Sequence, residues 1–345
     1  MTGFALLGCG RIGTLHARNI AAHPRAELVA CYDVAGKAAA SVAGSFGARA
    51  TGSVDEALQH PGVRAVLIAS STDTHADLIV RAARAGKAVL CEKPIALTMA
   101  RVEACWREIA PLRPLVAIGF NRRFDPSFRA LRDRLRSGEI GALEQLVITS
   151  RDPAAPPARY VATSGGLLRD MTIHDFDMAR YLAGDIVQVQ AMGANLIDPA
   201  IRAAGDIDAA MLVLRAASGA LVHINNSRRC AYGYDQRVEA FGATGMLQAG
   251  NRHPTTVEVW SAGHTRARDP VLDFFVERYR EAYEAELDHF VGCVERGTAP
   301  LAGFADGREA LRLADAASES LATGEAVRVA PAREPAESSP EEASS

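Results

Sequence analysis

No stretch of this sequence reaches the roughly 18 consecutive apolar residues that a membrane-spanning helix needs, and no basic segment precedes an apolar one near Met1. A membrane protein is excluded and a cytoplasmic one expected. Charge of one sign is also missing: 38 Lys and Arg stand against 41 Asp and Glu. With a net charge of −3, no basic field is available to hold nucleic acid or an anionic membrane. Even that small surplus is local, because Glu334, Glu337, Glu341 and Glu342 against Arg333 account for all of it. The six cysteines (Cys9, Cys31, Cys91, Cys105, Cys230, Cys293) form no CxxC pair and have no clustered histidines. That spacing fits reduced thiols in a cytosol rather than bridges or zinc. Of the histidines, His16, His23, His60, His75, His223, His253, His264 and His289 show no paired metal-ligand spacing, and no metal is expected.

What is present is ordinary globular composition, 48% apolar and 23% charged, in a length that suits two domains at roughly 100–200 residues each. From Phe4 to about Gly119, strand-like runs (Phe4–Leu7, Leu28–Tyr32, Ala65–Ala69, Ala88–Cys91, Leu115–Ile118) alternate with helical periodicity (Ile12–Ala22, Asp73–Ala85, Met99–Ile109). Alternation at that spacing implies right-handed βαβ crossovers and a parallel sheet. Ser53-Val54-Asp55-Glu56 reads as a capping box. After Gly119 the rhythm changes. A helix at Pro126–Arg136 precedes strand-like runs at Leu143–Ser150, Val187–Leu196, Ala209–Leu214, Leu221–Asn225, Arg237–Phe241 and Thr256–Trp260, which read as an antiparallel sheet. Helices are expected at Asp273–Glu295 and Asp306–Ala322, and a disordered tail over 331–345, where large apolar residues are lacking.

Gly8-Cys9-Gly10-Arg11-Ile12-Gly13 follows the first strand and opens the first helix. In that place the first glycine makes the tight turn, the second admits a pyrophosphate to the backbone, and the third lets helix and strand pack closely. Asp33 stands 20 residues beyond Gly13, at the end of the second strand. There a carboxylate accepts the adenosine ribose hydroxyls and repels a 2′-phosphate, which points to NAD over NADP.

Glu92-Lys93-Pro94 leaves the C-terminal end of a parallel strand, where open α/β sheets bind their ligands. An ammonium placed there can hydrogen-bond a substrate hydroxyl and stabilise charge as its proton leaves; the alternative is a surface Lys–Glu pair before a turn. Asp170 and His174 are four apart, so on one helix they share a face, and the carboxylate would orient the imidazole as a general base. The alternative is a structural pair. Met171, Met178, Leu182, Ile173, Phe176 and Ala179 on the same helix read as core. Gly119-Phe120-Asn121-Arg122-Arg123-Phe124-Asp125-Pro126 spans the domain junction, where polar residues can line a cleft and Asp125 can start a helix.

With these motifs the chain resembles the glucose-fructose oxidoreductase, inositol dehydrogenase and rhizopine-catabolism family from Phe4 to about Val329, and most closely its inositol-dehydrogenase members. Ser150-Arg151-Asp152-Pro153, Ser164 through Leu182, Tyr232 through Asp235 and Phe274 through Tyr283 carry the specific likeness. The glycine motif and Glu92-Lys93-Pro94 mark only the superfamily. The resemblance implies an NAD-binding Rossmann domain over 1–121. It also implies a substrate-binding α/β domain over 122–330, whose open, mainly antiparallel sheet packs between subunits of a homotetramer. It assigns the cofactor to Gly8, Gly10, Arg11, Ile12, Gly13, Asp33, Ser71, Thr72, His75, Glu92 and Lys93, and catalysis to Lys93, Asp170 and His174. Arg123, Tyr234 and Tyr283 would surround the substrate ring, with Tyr232 a rival to Tyr234. The implied reaction oxidises the axial hydroxyl of myo-inositol to 2-keto-myo-inositol and reduces NAD. The same chemistry admits scyllo-inositol or a pyranose. Other classes on this fold are NAD-retaining glycosidases and cofactor-binding regulators without turnover.

Overall fold

The computed structural model describes residues 1–330, the side chains of Ala158 and Ala162 excepted, so the expected tail at 331–345 lies outside the described residues. The first six strands are β1 (Thr2–Leu7), β2 (Ala26–Tyr32), β3 (Arg49–Ala50), β4 (Val63–Ile68), β5 (Ala88–Glu92) and β6 (Val116–Gly119). They form one parallel sheet in the order β3-β2-β1-β4-β5-β6. Every residue of β1 is buried, as a central strand covered on both faces must be. Helices Arg11–Ala22, Thr72–Arg84 and Met99–Ile109 fall where periodicity places them. Two more helices, Gly36–Phe46 and Val54–Gln59, fill the crossovers around β3; the second is capped by Ser53, whose hydroxyl accepts the Glu56 amide at 3.1 Å. Gly36–Phe46 is so rich in Ala, Gly and Ser that it has almost no periodicity to read.

The second sheet contains β7 (Leu143–Arg151), β8 (Ile186–Ala194), β9 (Ala209–Ala216), β10 (Leu221–Ser227), β11 (Asp235–Gly242), β12 (Gly245–Ala249) and, beyond a separate hairpin of β13 (Glu258–Ser261) and β14 (His264–Arg268), β15 (Val327–Arg328). Its order is β12-β11-β7-β10-β9-β8-β15, antiparallel except where β7 meets β10. One face is covered by helices Thr172–Ala183 and Phe304–Thr323. The other stands open.

Three expectations need correction. The strand run at Thr256–Trp260 does not join the sheet; β13 (Glu258–Ser261) pairs only with β14 (His264–Arg268). The helix expected over Asp273–Glu295 is two, Phe275–Arg278 and Arg280–Arg296, divided at Tyr279, whose hydroxyl donates to Gln236 at 3.1 Å. The helix carrying Asp170 and His174 is likewise two, Gly166–Asp170 and Thr172–Ala183, with Met171 at the break. Leu287, Phe290 and Val291 of helix Arg280–Arg296 pack with Phe4, Leu6 and Ile20, and Ile118 donates its amide to Ala302, so the end of the chain returns to cover the first sheet.

Candidate active site

The turns leaving β1, β4 and β5 meet at the carboxyl edge of the parallel sheet, where helix N-termini aim free amides outward. Gly8 has φ +99°, and a Cβ there would lie 2.5 Å from the backbone of Ala69 and Ser70. A Cβ on Gly13 would lie 2.0 Å from Gly8 O, whereas one on Gly10 would meet nothing within 4 Å. Two glycines thus allow close packing and the third leaves open space above the loop, the shape a dinucleotide pyrophosphate requires. Asp33 braces this cradle: Oδ2 accepts the Cys9 amide at 2.7 Å and Oδ1 the Ala35 amide at 2.8 Å. Arg11 is exposed, its guanidinium 5.5 Å from the centre of the Phe274 ring, and Ile12 is half-buried beside it.

Ser71 caps helix Thr72–Arg84 by position, and Thr72 begins it. His75 belongs to the same helix. It is buried with its ring nitrogens 2.8 Å from Pro94 O and 3.1 Å from Ser70 O, which ties the turn after β4 to the turn after β5. Glu92 is also held from below, by His16 Nε2 donating to its Oε1 at 2.8 Å.

Lys93 reaches across to the second domain. Its Nζ donates to the backbone oxygen of Asp170 at 2.7 Å and to Oδ1 at 3.2 Å. Asp170 takes two further partners that the sequence does not announce. The Tyr160 hydroxyl donates to Oδ1 at 2.9 Å, and the buried Arg228 guanidinium reaches Oδ2 at 3.2 and 3.3 Å. Burial pushes the Asp170 carboxyl up, but Lys93, Arg228 and the Tyr160 hydrogen bond outweigh it and hold it below the usual range. Asp152 shares Arg228 at 3.3 Å; burial, with the Asp170 charge adding to it, pushes its carboxyl up to about 6.

His174 makes no hydrogen bond to Asp170 among the described residues. Asp170 ends one helix and His174 lies in the first turn of the next, with Met171 between them. Instead the imidazole lies edge-on to Phe120, 6.1 Å between ring centres, with a buried, unpartnered Nδ1. Burial, then the charges of Lys93 and Arg122, hold it well below the ordinary histidine value. That direction favours the neutral imidazole.

The two arginines of the junction are buried. Arg122 Nη1 donates to Asp175 at 2.6 Å and to Ser150 at 2.9 Å. Arg123 spends its donors on Asp177, the Leu301 carbonyl and Asp306 at 2.6–3.1 Å. Its guanidinium is thus committed and buried. Asp125 both caps helix Pro126–Arg136 and pairs with buried Arg278. Tyr234 and Tyr283 are buried aromatics, Tyr234 edge-on to Tyr279 and Tyr283 edge-on to His16. Tyr232 is exposed and donates to Asp235 at 2.6 Å, which leaves Tyr234 the inner of the two. Among the described residues, no group of three or more His, Cys, Asp or Glu side chains is placed to hold a metal.

A glycine cradle on a parallel sheet, facing a Lys–Asp–His set contributed from both domains, defines a two-domain dinucleotide-binding oxidoreductase. Residues 2–120 match the model described as an oxidoreductase family, NAD-binding Rossmann fold, and residues 128–248 match the GFO/IDH/MocA C-terminal domain. The chain belongs to the GFO/IDH/MocA oxidoreductase family. It is 47% identical to the inositol 2-dehydrogenase of Rhizobium meliloti (strain 1021), covering 95% of this chain and 99% of that protein. The crystal structure of a myo-inositol dehydrogenase from Corynebacterium glutamicum superposes with a TM-score of 0.93 at 48% identity, over 96% of this chain and all of that one. That of scyllo-inositol dehydrogenase from Lactobacillus casei, with bound NAD(H) and scyllo-inositol, gives 0.88 at 30% identity, over 95% and 99%.

Proposed function

We propose that this chain is an inositol 2-dehydrogenase that oxidises myo-inositol to 2-keto-myo-inositol with NAD. The observation that carries this is the Lys93–Asp170 contact at the end of the parallel sheet that bears the glycine cradle, with His174 near enough for the Lys93 charge to lower it, supported by inositol dehydrogenases at 47–48% identity over nearly the whole chain. NAD held by Gly8, Gly10, Gly13 and Asp33 supplies the acceptor for the hydride that leaves carbon. The chain itself handles the proton and the charge. An ammonium has three donors, and Lys93 commits two to Asp170. The third is free to donate to the reacting hydroxyl oxygen and to stabilise it as charge develops. His174, being neutral, accepts the hydroxyl proton. Asp170, kept ionised by Lys93 and Arg228, accepts a neighbouring hydroxyl of the ring.

The open sheet face supports a homotetramer built through it. Met192 opposite Met211, and Phe241 opposite Met246, lie exposed on that face with Val213 and Leu221. The six cysteines are unpaired, and no described helix is long and apolar enough to cross a membrane; both support a cytoplasmic enzyme.

The test is NADH formation over a panel of inositol isomers and pyranoses, with NAD and NADP. We expect myo-inositol with NAD to give the highest kcat/KM. A panel in which no polyol or sugar reduces either cofactor overturns the proposal.

A further inference from the structure

Every acceptor position of Asp170 is already used by the protein. A carboxylate offers about four lone-pair directions. Lys93 and Tyr160 take those of Oδ1, and the two nitrogens of Arg228 take those of Oδ2. For Asp170 to accept a substrate hydroxyl, one donor has to yield. Lys93 is anchored a second time, on the Asp170 backbone oxygen, and Arg228 is buried and bridges to Asp152. Both carry full charges. Tyr160 is neutral, makes this one bond to Asp170, and is 46% exposed on the short helix Ala158–Ser164, which follows Pro153, Pro156 and Pro157.

We propose that Tyr160 competes with the substrate for Asp170 and so sets the enzyme's KM for its polyol. The inference rests on the polyol reading above. The phenol leaves Oδ1, a ring hydroxyl takes its place, and Lys93 and Arg228 keep the carboxylate ionised throughout. Removing the competitor therefore tightens binding, an outcome that loss of a merely structural contact does not produce.

The experiment compares the full chain with Tyr160→Phe. It reads KM for myo-inositol at saturating NAD, and calorimetric binding of myo-inositol in the presence of NADH. Both constants should fall about three- to tenfold, the worth of a partly exposed hydrogen bond to a charged group. Tyr160→Leu, which also lacks the hydroxyl, should move them in the same direction. An unchanged or raised KM in Tyr160→Phe overturns the proposal and would make the phenol a spectator or a substrate ligand. Absence of turnover in the wild type with every inositol overturns the polyol reading instead.

Discussion

Replacing Lys93 by Met deletes a charge and three donors while keeping most of the side chain's length. The hydroxyl oxygen loses the one ammonium N–H not already committed to Asp170. One preorganised donor aimed at developing charge is worth roughly 10²–10³ in kcat, about 2.7–4 kcal/mol. Lys93 is 15% exposed, so solvent screens little of this. Asp170 retains Arg228 and Tyr160 and stays ionised. A second consequence is titrimetric. Burial is the first cause of the lowered His174 value and the Lys93 charge the second. Without that charge the imidazole gains a proton more easily, so the acid limb of kcat/KM moves to higher pH, yet stays below the ordinary histidine value because burial persists. The assay is steady-state NADH formation from myo-inositol across the acid range. A kcat for Lys93→Met within tenfold of wild type, or an acid limb that stays in place or moves down, refutes the reasoning.

Two further outcomes follow from other groups. Asp33→Ser removes the carboxylate that would repel a 2′-phosphate and also frees the Cys9 amide, so the NAD-to-NADP ratio of kcat/KM should fall by at least about tenfold; an unchanged ratio would show that Asp33 does not select the cofactor. Glu286 is buried, neither carboxyl oxygen has a partner, and burial followed by the nearby Glu92 charge pushes its carboxyl well above the usual range. A carboxyl raised in the folded state contributes its stability below the unfolded value and loses it as pH rises. Glu286→Gln should therefore unfold at a higher temperature than wild type at pH 8, by at least about 2 °C, with a smaller gap at pH 5. Equal gaps would contradict the assignment.

The cofactor half of the site is legible in the sequence because a βαβ unit is local. The glycine spacing, the strand before it and Asp33 lie within one short stretch, and each position has its own steric or electrostatic reason. The substrate half is less so. Arg122 and Arg123 look like cleft residues until their partners are known, and those partners, Asp175 and Asp177, lie some fifty residues on. Asp170 and His174 are four apart, but a helix boundary at Met171 stands between them, and the Lys93 and Arg228 partners of Asp170 come from distant segments. Arg228 and Tyr160 follow no motif. Arg228 is assigned by a buried contact between β10's end and a helix, and Tyr160 by a short helix lying over the cleft.

The central claim is that hydrogen passes directly from the carbinol carbon to the cofactor while Lys93 and His174 manage the proton and the charge. Myo-inositol deuterated at carbon 2 tests it. Incubated with the enzyme and NAD, it should yield singly deuterated NADH by mass spectrometry. Unlabelled NADH with deuterium released to water, or no NADH at all, would contradict it.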